Sequence, residues 1–413
     1  MLPDMLWWAG APAPAILYNA PQSNAGAGAP AHQRRKLLGL SGKIRNQALA
    51  LGFDLVGLAP ARRAEHADAL FQWLESGCHA GMGWMARDPE TRADPTRLLA
   101  GAKSIVCVAL AYGAEIPPAK FWDDPLRGRV ARFAWGPDYH DLIVPRLEEL
   151  ARFIVRDLGQ PLAWKVAVDA APILERDHAA RAGLGYIGKS NILISPRFGS
   201  LLLLGEVLLD IGLDDYDSPQ PQSCCAETSC AAACPTAALQ PYNLDARRCI
   251  SWLTIENKNE IPEALRPRLG RWIFGCDECQ TSCPWTPEKS FLWAGTPAPA
   301  QSNTTAPKTR ELELPPTREQ AAATPHAAFR FQPEISTPRL DELLALDEKA
   351  FRERFAGTPL ARAKRRGLLR NAAIALGNSG VAATRPALER AASDPDELIR
   401  AHAAWALQRL DEG

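Results

Sequence analysis

The sequence lacks an excess of charge of either sign and lacks a long uninterrupted apolar run. Its 413 residues contain 47 Lys and Arg and 47 Asp and Glu, so the formal net charge is zero. Any attraction of nucleic acid must therefore come from a local basic patch rather than from the whole chain. Residues 5–33 carry no Asp, Glu, Lys or Arg, but prolines interrupt them repeatedly, which argues against a membrane-spanning helix.

The chain also lacks a recognisable secretory signal, so we expect a cytoplasmic protein without a membrane partner. Residues 1–35 are predicted to be a disordered extension. A disulfide scaffold is not expected in a chain of this length without such a signal. The length itself predicts two or three domains.

Cysteine, by contrast, is concentrated in one segment. Eight of the ten cysteines lie between Cys224 and Cys283. The patterns Cys230-x3-Cys234-Pro and Cys276-x2-Cys279-x3-Cys283-Pro are typical of two half-sites of a bacterial ferredoxin, in which the cysteine before each proline binds the other cluster. The segment predicts two 4Fe-4S clusters that carry electrons.

Crossing the ligands in this way divides the thiols into two sets. The first set is Cys234, Cys249, Cys276 and Cys279, and the second is Cys224, Cys230 and Cys283. The second set is one thiolate short, because the usual spacing places its missing ligand at Glu227. A carboxylate of Glu227 on one iron, a substitution by Cys225 and a three-iron cluster remain open. Zinc is the alternative metal, but it does not account for two Cys-Pro pairs in mirrored loops.

Apolar runs and turn signals divide the rest of the chain. Strands are predicted at 53–59, 104–112, 164–168 and 201–209, and helices at 36–51 and 61–76. Their alternation predicts an α/β domain over residues 36–215. A ferredoxin-like domain is expected at 216–286, a linker or insertion at 287–334 and a helical domain at 335–413.

The C-terminal segment combines a repeat with a basic cluster. The sequence AAIAL at 372–376 recurs as AAWAL at 403–407, which fits a helical repeat. The preceding basic residues could neutralise phosphates, although a solvated helix face is the simpler interpretation. The basic residues in question are Lys364, Arg365, Arg366 and Arg370.

Several separated segments together resemble the epoxyqueuosine reductases. The resemblance rests on VDAAPILER at 168–176, RAGLGYIGK at 181–189, the two cysteine loops, RCISWLTIE at 248–256 and KRRGLLRNAA at 364–373. It implies a cobalamin-dependent oxidoreductase that reduces epoxyqueuosine to queuosine at the wobble position of transfer RNA, the last step of queuosine synthesis. The implied architecture is an α/β cobalamin-binding domain, a two-cluster ferredoxin-like domain and C-terminal HEAT-like repeats that bind the RNA.

The resemblance also implies a role for Asp169 as the general acid that protonates the departing oxygen. Such an acid must stay protonated near neutral pH, which requires burial and a raised pKa. The residues alone favour a different interpretation, because an Asp followed by a proline and an apolar helical pattern is a good helix N-cap. The two roles are compatible.

Further residues lie in segments that resemble the cofactor side of the family. An arginine there could bind a corrin amide, a phosphate or a structural carboxylate. A histidine there suggests an axial cobalt ligand, but a hydrogen-bonded histidine is the favoured interpretation. The predicted cofactor-binding residues are Arg92, Arg132, Tyr139, His140, Lys189, Asn191 and Ser251.

Two other functions compete with this interpretation. A corrinoid reductive dehalogenase also combines cobalamin with two clusters, but such enzymes generally carry an export signal and lack a basic helical-repeat tail. A ferredoxin-type electron carrier would leave the large α/β domain without a purpose. We expect a monomer whose partners are transfer RNA and an electron donor of unknown identity.

Overall fold

The computed structural model describes residues 39–113, 115–221, 224, 228–286 and 326–412. The predicted extension at 1–35, Cys225, Glu227 and most of the predicted insertion lie outside these ranges. The chain divides into two compact units. One contains the residues up to Leu110 with His140–Ile187 and Leu203–Gln222, and the other contains Ala111–Tyr139, Gly188–Leu202 and Ser223–Gly413.

Within the described ranges, the three longest elements are helices of 16 to 20 residues. The α-helices are α1 Leu40–Ala50, α2 Ala67–Glu75, α3 Gly83–Ala86, α4 Pro89–Ala93, α5 Pro95–Leu98, α6 Ala119–Trp122, α7 Tyr139–Leu158, α8 Glu175–Arg181, α9 Ser229–Ala232, α10 Ile250–Ile255, α11 Glu278–Thr281, α12 Pro333–Ser336, α13 Leu340–Leu344, α14 Glu348–Phe355, α15 Lys364–Ser379, α16 Arg385–Ala391 and α17 Glu397–Glu412. The strands are β1 Leu55–Pro60, β2 Ser104–Ala111, β3 Arg129–Val130, β4 Trp164–Ala167, β5 Tyr186–Ile187, β6 Leu193–Ile194, β7 Leu202–Leu209, β8 Leu239–Gln240, β9 Asn243–Leu244 and β10 Trp272–Phe274. Short 3-10 helices lie at Arg132–Ala134, Ala246–Arg248, Glu263–Leu269, Ala327–Phe329, Pro359–Ala363 and Ala382–Thr384.

The first unit is built on a four-stranded sheet in the order β1-β2-β7-β4. All four predicted apolar runs are strands of this sheet, which confirms the sequence pattern. β1 pairs with β2 and β4 pairs with β7, and both pairings are antiparallel. Helices alternate with these strands along the chain, as predicted. The antiparallel pairings differ from those of a parallel α/β sheet, in which crossover connections join parallel neighbours.

The two predicted helices near the start of the described chain are present, although the one predicted at 61–76 begins only at Ala67, as α2. The one predicted at 36–51 is α1, whose Ile44 and Ala48 are fully buried. Its first turn is bound by Asp214, which accepts the backbone N–H groups of Gly39 and Ser41 at 2.7 and 2.9 Å. A carboxylate at this end satisfies helix donors that have no partner within the helix.

The second unit joins the cysteine segment to the C-terminal helices. Helices α15 and α17 carry the two copies of the repeat and pack closely together. A side chain at Gly377 on α15 would come within 2.8 Å of the Ala406 backbone on α17, so only glycine permits this approach. The side-chain amide of Asn371 also donates to the carbonyl oxygens of Thr254 and Ile273 at 2.9 and 2.8 Å.

The predicted boundaries differ from these compact units. Residues 111–139 and 188–202, assigned from the sequence to the 36–215 domain, belong with the cysteine segment and the C-terminal residues. The segments predicted as separate domains at 216–286 and 335–413 share one unit, because buried side chains of α15 bond to the backbone of the cysteine segment. Apolar periodicity could not reveal contacts between residues so distant in the chain.

Within the described ranges, no helix combines the length and the apolar character needed to cross a membrane.

Candidate functional site

Three thiols of the second predicted set line one depression in the second unit. Cys224, Cys230 and Cys283 lie there with Lys189, Ser190, Ile194, Ser229 and Pro284. Cys230 and Cys283 are buried at 8% and 7% exposure. The structure therefore brings together three cysteines that the sequence assigned to one cluster, although they are spread over sixty residues.

The four thiols of the first predicted set are also neighbours. Burial raises the pKa of Cys279 far above its ordinary value, and the nearby charges of Cys249 and Cys234 raise it further. Burial likewise raises the pKa of Cys276, with contributions from Cys279 and Cys249. Cys230 of the other set also contributes to the pKa of Cys279, so the two groups of thiols lie close to each other.

Backbone N–H groups point at several of these sulfur atoms. Ala238 N donates to Cys234 Sγ at 3.3 Å, and Lys189 N donates to Cys224 Sγ at 3.5 Å. The backbone N–H groups of Ser251 and Trp252 lower the pKa of Cys249, although burial raises it more. Such bonds stabilise a thiolate, and hydrogen bonds to sulfur are one of the means by which proteins set cluster potentials.

These residues fit thiolate-bound iron–sulfur clusters. A buried thiolate is unfavourable unless a metal compensates its charge, and the N–H donors already prepare the sulfurs for ligation.

The predicted acid, Asp169, lies just beyond strand β4 in the first unit and is exposed, so the burial expected of this acid is not found in the chain alone. Its φ of 50° is in the left-handed region, which is uncommon for a residue other than glycine. Helix α8 begins at Glu175, and its N-cap residue is Leu174. The interpretation of Asp169 as a helix N-cap is therefore wrong, since the intervening residues form turns rather than helix.

Two glutamates that the sequence analysis did not select accompany Asp169. Glu175 Oε1 accepts the Asp169 backbone N–H at 2.5 Å. Glu206 is fully buried on β7 and lies opposite Ala167 of β4. Burial and the charge of Asp169 raise the pKa of Glu175 to about 8, and burial and Glu175 raise the pKa of Glu206 well above its ordinary value.

Arg92 is the predicted cofactor residue that the structure places beside this acid group. Its side chain is buried at 6% exposure, and Nη1 donates to the Ala171 carbonyl oxygen at 3.4 Å. Burial lowers its pKa, while the charges of Glu175 and Asp169 raise it. Arg92 therefore supplies positive charge near the turn that carries Asp169.

Other predicted cofactor residues have identifiable protein partners. Arg132 is buried, its Nη1 donates to the Gly113 carbonyl oxygen at 3.3 Å, and its backbone N–H donates to Asp277 at 2.9 Å. The hydroxyl of Tyr139 accepts Arg362 Nη1 at 3.1 Å. His140 follows as the second residue of α7 and is partly exposed.

The remaining predicted cofactor residues lie in the cysteine-containing unit. Lys189 lines the depression that contains Cys224, so its position is beside a predicted cluster. Asn191 has a positive φ of 59°, and with its amide turned it donates to the Tyr242 carbonyl oxygen and accepts from Asn243 N. Ser251 is one of two residues whose backbone N–H groups point at Cys249.

The predicted RNA-binding cluster divides into exposed and buried residues. Lys364 and Arg366 are exposed. Arg365 is mostly buried, and its Nη1 donates to Asp394 Oδ1 at 3.2 Å. Arg370 is fully buried, so its prediction as an RNA-binding residue is wrong.

The reason for the burial of Arg370 is a set of backbone carbonyl groups. Its guanidinium donates to the carbonyl oxygens of Leu253, Asn257 and Asn259 at 2.7, 2.9 and 2.6 Å. Leu253 lies in the last turn of α10, where carbonyl groups have no partner within the helix and attract a cation. Arg370 therefore joins α15 to the cysteine segment.

The acid group could have been found from one feature of the sequence. Glu206 is the single charged residue in the strand sequence LLLGEVLL of β7. A carboxyl group inside a buried strand is unfavourable unless it is protonated, paired or bound to a ligand. Glu175 gives no comparable signal, because it occupies an ordinary position in the first turn of a helix.

Two family models match separate parts of the chain. The first, described as "Epoxyqueuosine reductase QueG, DUF1730", matches residues 92–170. The second, described as a 4Fe-4S double cluster binding domain, matches residues 223–286. The second match covers all eight clustered cysteines and supports iron–sulfur binding.

Curated relatives and solved structures agree with these matches. The epoxyqueuosine reductase of Xanthomonas campestris pv. campestris is 37% identical over 370 residues, covering 88% of this chain and 94% of the relative. That of Escherichia coli is 36% identical over 375 residues, covering 90% of each chain.

A crystal structure of an epoxyqueuosine reductase with a tRNA-Tyr epoxyqueuosine-modified stem loop matches with a TM-score of 0.76 and 30% identity over 91% of each chain. A Bacillus subtilis structure, described as having its catalytic aspartate loop swung out of the active site, has a TM-score of 0.75, 30% identity and the same coverage. With such identity over nearly the whole length of its relatives, the chain belongs to the epoxyqueuosine reductase family.

Proposed function

We propose that this chain reduces epoxyqueuosine to queuosine at the wobble position of transfer RNA, with Asp169 as the acid. The observation that carries the proposal is similarity, over 88–91% of the chain, to epoxyqueuosine reductases, one of which was crystallised with an epoxyqueuosine-modified stem loop. The thiol groups and the acid group are the parts that this chemistry needs.

The overall reaction defines what the protein must supply. Opening an epoxide to an alkene consumes two electrons and two protons, and the oxygen leaves as water. The two sets of cysteines, with N–H groups directed at their sulfurs, would hold clusters that deliver the electrons one at a time. Cobalamin would supply a strongly nucleophilic reduced metal at the reacting carbon.

The first unit offers groups suited to the cobalamin-bound reaction. Arg92 is buried next to the Asp169 turn and could bind a polar group of the corrin or the substrate. Lys189 and Ser251 are better suited to the clusters, because both direct backbone N–H groups at cysteine sulfurs. We therefore expect Arg92 to contribute to cofactor affinity and Lys189 to affect a cluster.

The task of Asp169 is to hold a proton and give it to the departing oxygen. Its left-handed backbone directs the residue away from the strand it follows, at a cost of about 1–3 kcal/mol that the surrounding contacts must offset. Strain of this kind is concentrated at functional sites. The loop described as catalytic in the Bacillus subtilis relative also centres on an aspartate.

The C-terminal helices would bind the RNA as a HEAT-like repeat. Close packing of α15 on α17 through Gly377 is the geometry that repeated helices need. Lys364 and Arg366, at the start of α15, are the exposed cations available to phosphates. We expect a cytoplasmic monomer, and the electron donor is a separate reducing partner.

The test is conversion of defined RNA by anaerobically reconstituted protein with cobalamin and a chemical reductant. Mass spectrometry should detect queuosine in place of epoxyqueuosine. Asp169→Asn should keep iron and cobalamin but lose at least about a hundredfold in turnover, the usual contribution of a general acid. Asp157→Asn, an exposed partner of Lys43, is the control and should remain active. Full turnover by Asp169→Asn would remove the assignment of the acid.

A further inference from the structure

The carboxyl groups of Glu175 and Glu206 form a pair beside Asp169. Glu206 lies directly opposite Ala167 in the β4–β7 register, and Asp169 follows Ala167 by two residues. The pairing of these strands therefore fixes a fully buried carboxyl group close to the end of β4. Glu175 reaches the same place from the first turn of α8 and accepts the Asp169 N–H at 2.5 Å.

Both carboxyl groups of the pair hold a proton at neutral pH. Among the described residues, no N–H or O–H donor reaches either oxygen of Glu206, and an isolated buried carboxylate would be strongly disfavoured, so Glu206 is protonated. Burial and the charge of Asp169 raise the pKa of Glu175 to about 8, so Glu175 holds the second proton while its Oε1 accepts the N–H of Asp169.

The surrounding charges do not remove this proton. Arg176 on α8 lowers the pKa of Glu175, but burial and the charge of Asp169 raise it more strongly. Cys107 on β2 is fully buried, and burial keeps its thiol protonated. Arg92 on α4 faces Glu175 and Asp169 as a further positive charge.

We propose that the Glu175–Glu206 pair is a proton store that refills Asp169 after Asp169 has protonated the departing oxygen. The proposal rests on the function proposed above and extends it to the second proton. Loss of the epoxide oxygen as water consumes two protons, whereas a single carboxylic acid carries one. Water can refill Asp169 in the free chain, but a protein-held proton is needed once substrate covers it.

The transfer is a proton movement without change of oxidation state. The O–H bond of Glu175 breaks as an O–H bond forms on the Asp169 carboxylate, and Glu206 then donates its proton to Glu175. The pair is left with one negative charge, which a proton from solvent neutralises through the partly exposed Glu175. The two electrons of the reaction take no part in this step.

Infrared spectroscopy tests the store without requiring turnover. The full chain, reconstituted with iron and sulfide but without cobalamin or RNA, is titrated from pH 5 to 10 while the C=O stretch of protonated carboxylic acids is recorded. Wild type should retain a protonated carboxyl group at neutral pH that ionises near pH 8 or above. Glu206→Gln should lose the part of this signal that Glu206 contributes, and Glu149→Gln, on the exposed face of α7, should retain the whole signal.

The absence of any protonated carboxyl group in wild type at pH 7 would overturn the proposal. Measurement of the turnover rate then tests whether Asp169 receives the proton from the pair. Glu175→Gln can still accept the Asp169 N–H but carries no transferable proton, so kcat should fall about tenfold or more with KM for RNA unchanged. A Glu175→Gln enzyme with the wild-type kcat and pH profile would contradict the refilling role.

The outcomes separate this proposal from the proposed function. If wild type fails to convert the RNA, the proposed function fails, yet the infrared titration still decides whether the pair holds a proton. If the pair is protonated but Asp169→Asn turns over fully, Asp169 is not the recipient and the refilling proposal is overturned. Because Glu175→Gln can still accept the Asp169 N–H, a fall in its kcat alone indicates lost proton transfer, whereas a rise in its KM for RNA indicates lost positioning.

Discussion

Replacing Arg370 by alanine should destabilise the protein strongly without directly removing an RNA contact. The Arg370 side chain is fully buried and its guanidinium bonds to three backbone carbonyl oxygens. Truncation leaves those buried acceptors unsatisfied, at about 1–3 kcal/mol each, and these costs do not add fully. We expect a loss of about 4 kcal/mol, as for the removal of one partner of a buried charged pair.

Arg366 provides a matched control one helical turn earlier. It is also an arginine on α15, but its side chain is 47% exposed and pairs with Asp396. An exposed ion pair contributes at most about 1 kcal/mol, so Arg366→Ala should barely change stability. The two variants remove the same side chain from the same helix and differ chiefly in burial.

Thermal unfolding of the reconstituted chain, followed by circular dichroism, measures the difference. A loss of this size corresponds to a midpoint lower by about 10 °C for Arg370→Ala, against at most about 3 °C for Arg366→Ala. RNA binding should show the reverse order, with Arg366→Ala weakening affinity most at low salt. An Arg370→Ala protein that melts like wild type but no longer binds RNA would refute this assignment.

Three further predictions concern the clusters, the acid pair and the sheet. Cys276→Ser should lower the iron content from about eight to about four atoms per chain, because one cubane loses a ligand; unchanged iron on reconstitution would exclude Cys276 as a ligand. Between the ordinary glutamate pKa of 4.5 and about 8, the native Glu175–Glu206 pair binds more protons than the same residues in the unfolded chain, so the free energy of unfolding should fall as pH rises through this window. The thermal unfolding midpoint of Glu206→Gln, relative to that of wild type, should therefore rise from pH 5 to pH 9. Parallel curves of midpoint against pH for the two proteins would contradict the raised pKa. Gly57→Ala should lower the free energy of unfolding by about 1–3 kcal/mol, since the added methyl group would overlap the Ala182 carbonyl oxygen. A melting midpoint equal to that of wild type would show that the backbone shifts to relieve this overlap.

Local patterns in the sequence were sufficient for the strands and for bringing Cys224, Cys230 and Cys283 into one group. The four apolar runs became the four strands of one sheet because each run is long enough for a strand and ends at turn residues. The thiol assignments depended on spacing within two loops, and the second set indeed lines one depression. Strand order and direction, by contrast, depend on contacts between distant residues, which a local pattern does not contain.

The basic cluster shows why charge alone was insufficient. Every residue from Gly367 to Gly377 is buried, so α15 is surrounded by protein rather than amphipathic. Its hydrophobic pattern consequently offers no exposed face to which a nearby arginine can be assigned. The acceptors of Arg370 lie more than a hundred residues earlier in the chain. Exposure and burial within KRRGLLR are therefore decided by tertiary packing.

The acid group illustrates a different limit of sequence reasoning. A single glutamate in an apolar strand already indicates a special environment, but the sequence does not say which face or neighbour it meets. The pairing of Ala167 with Glu206 supplies that information, because side chains on paired strands meet only in a fixed register. A slip of one residue would place Val207 opposite Ala167 and turn the carboxyl group to the other face of the sheet. The raised pKa of Glu206, and with it any proton held for Asp169, is thus a property of strand register.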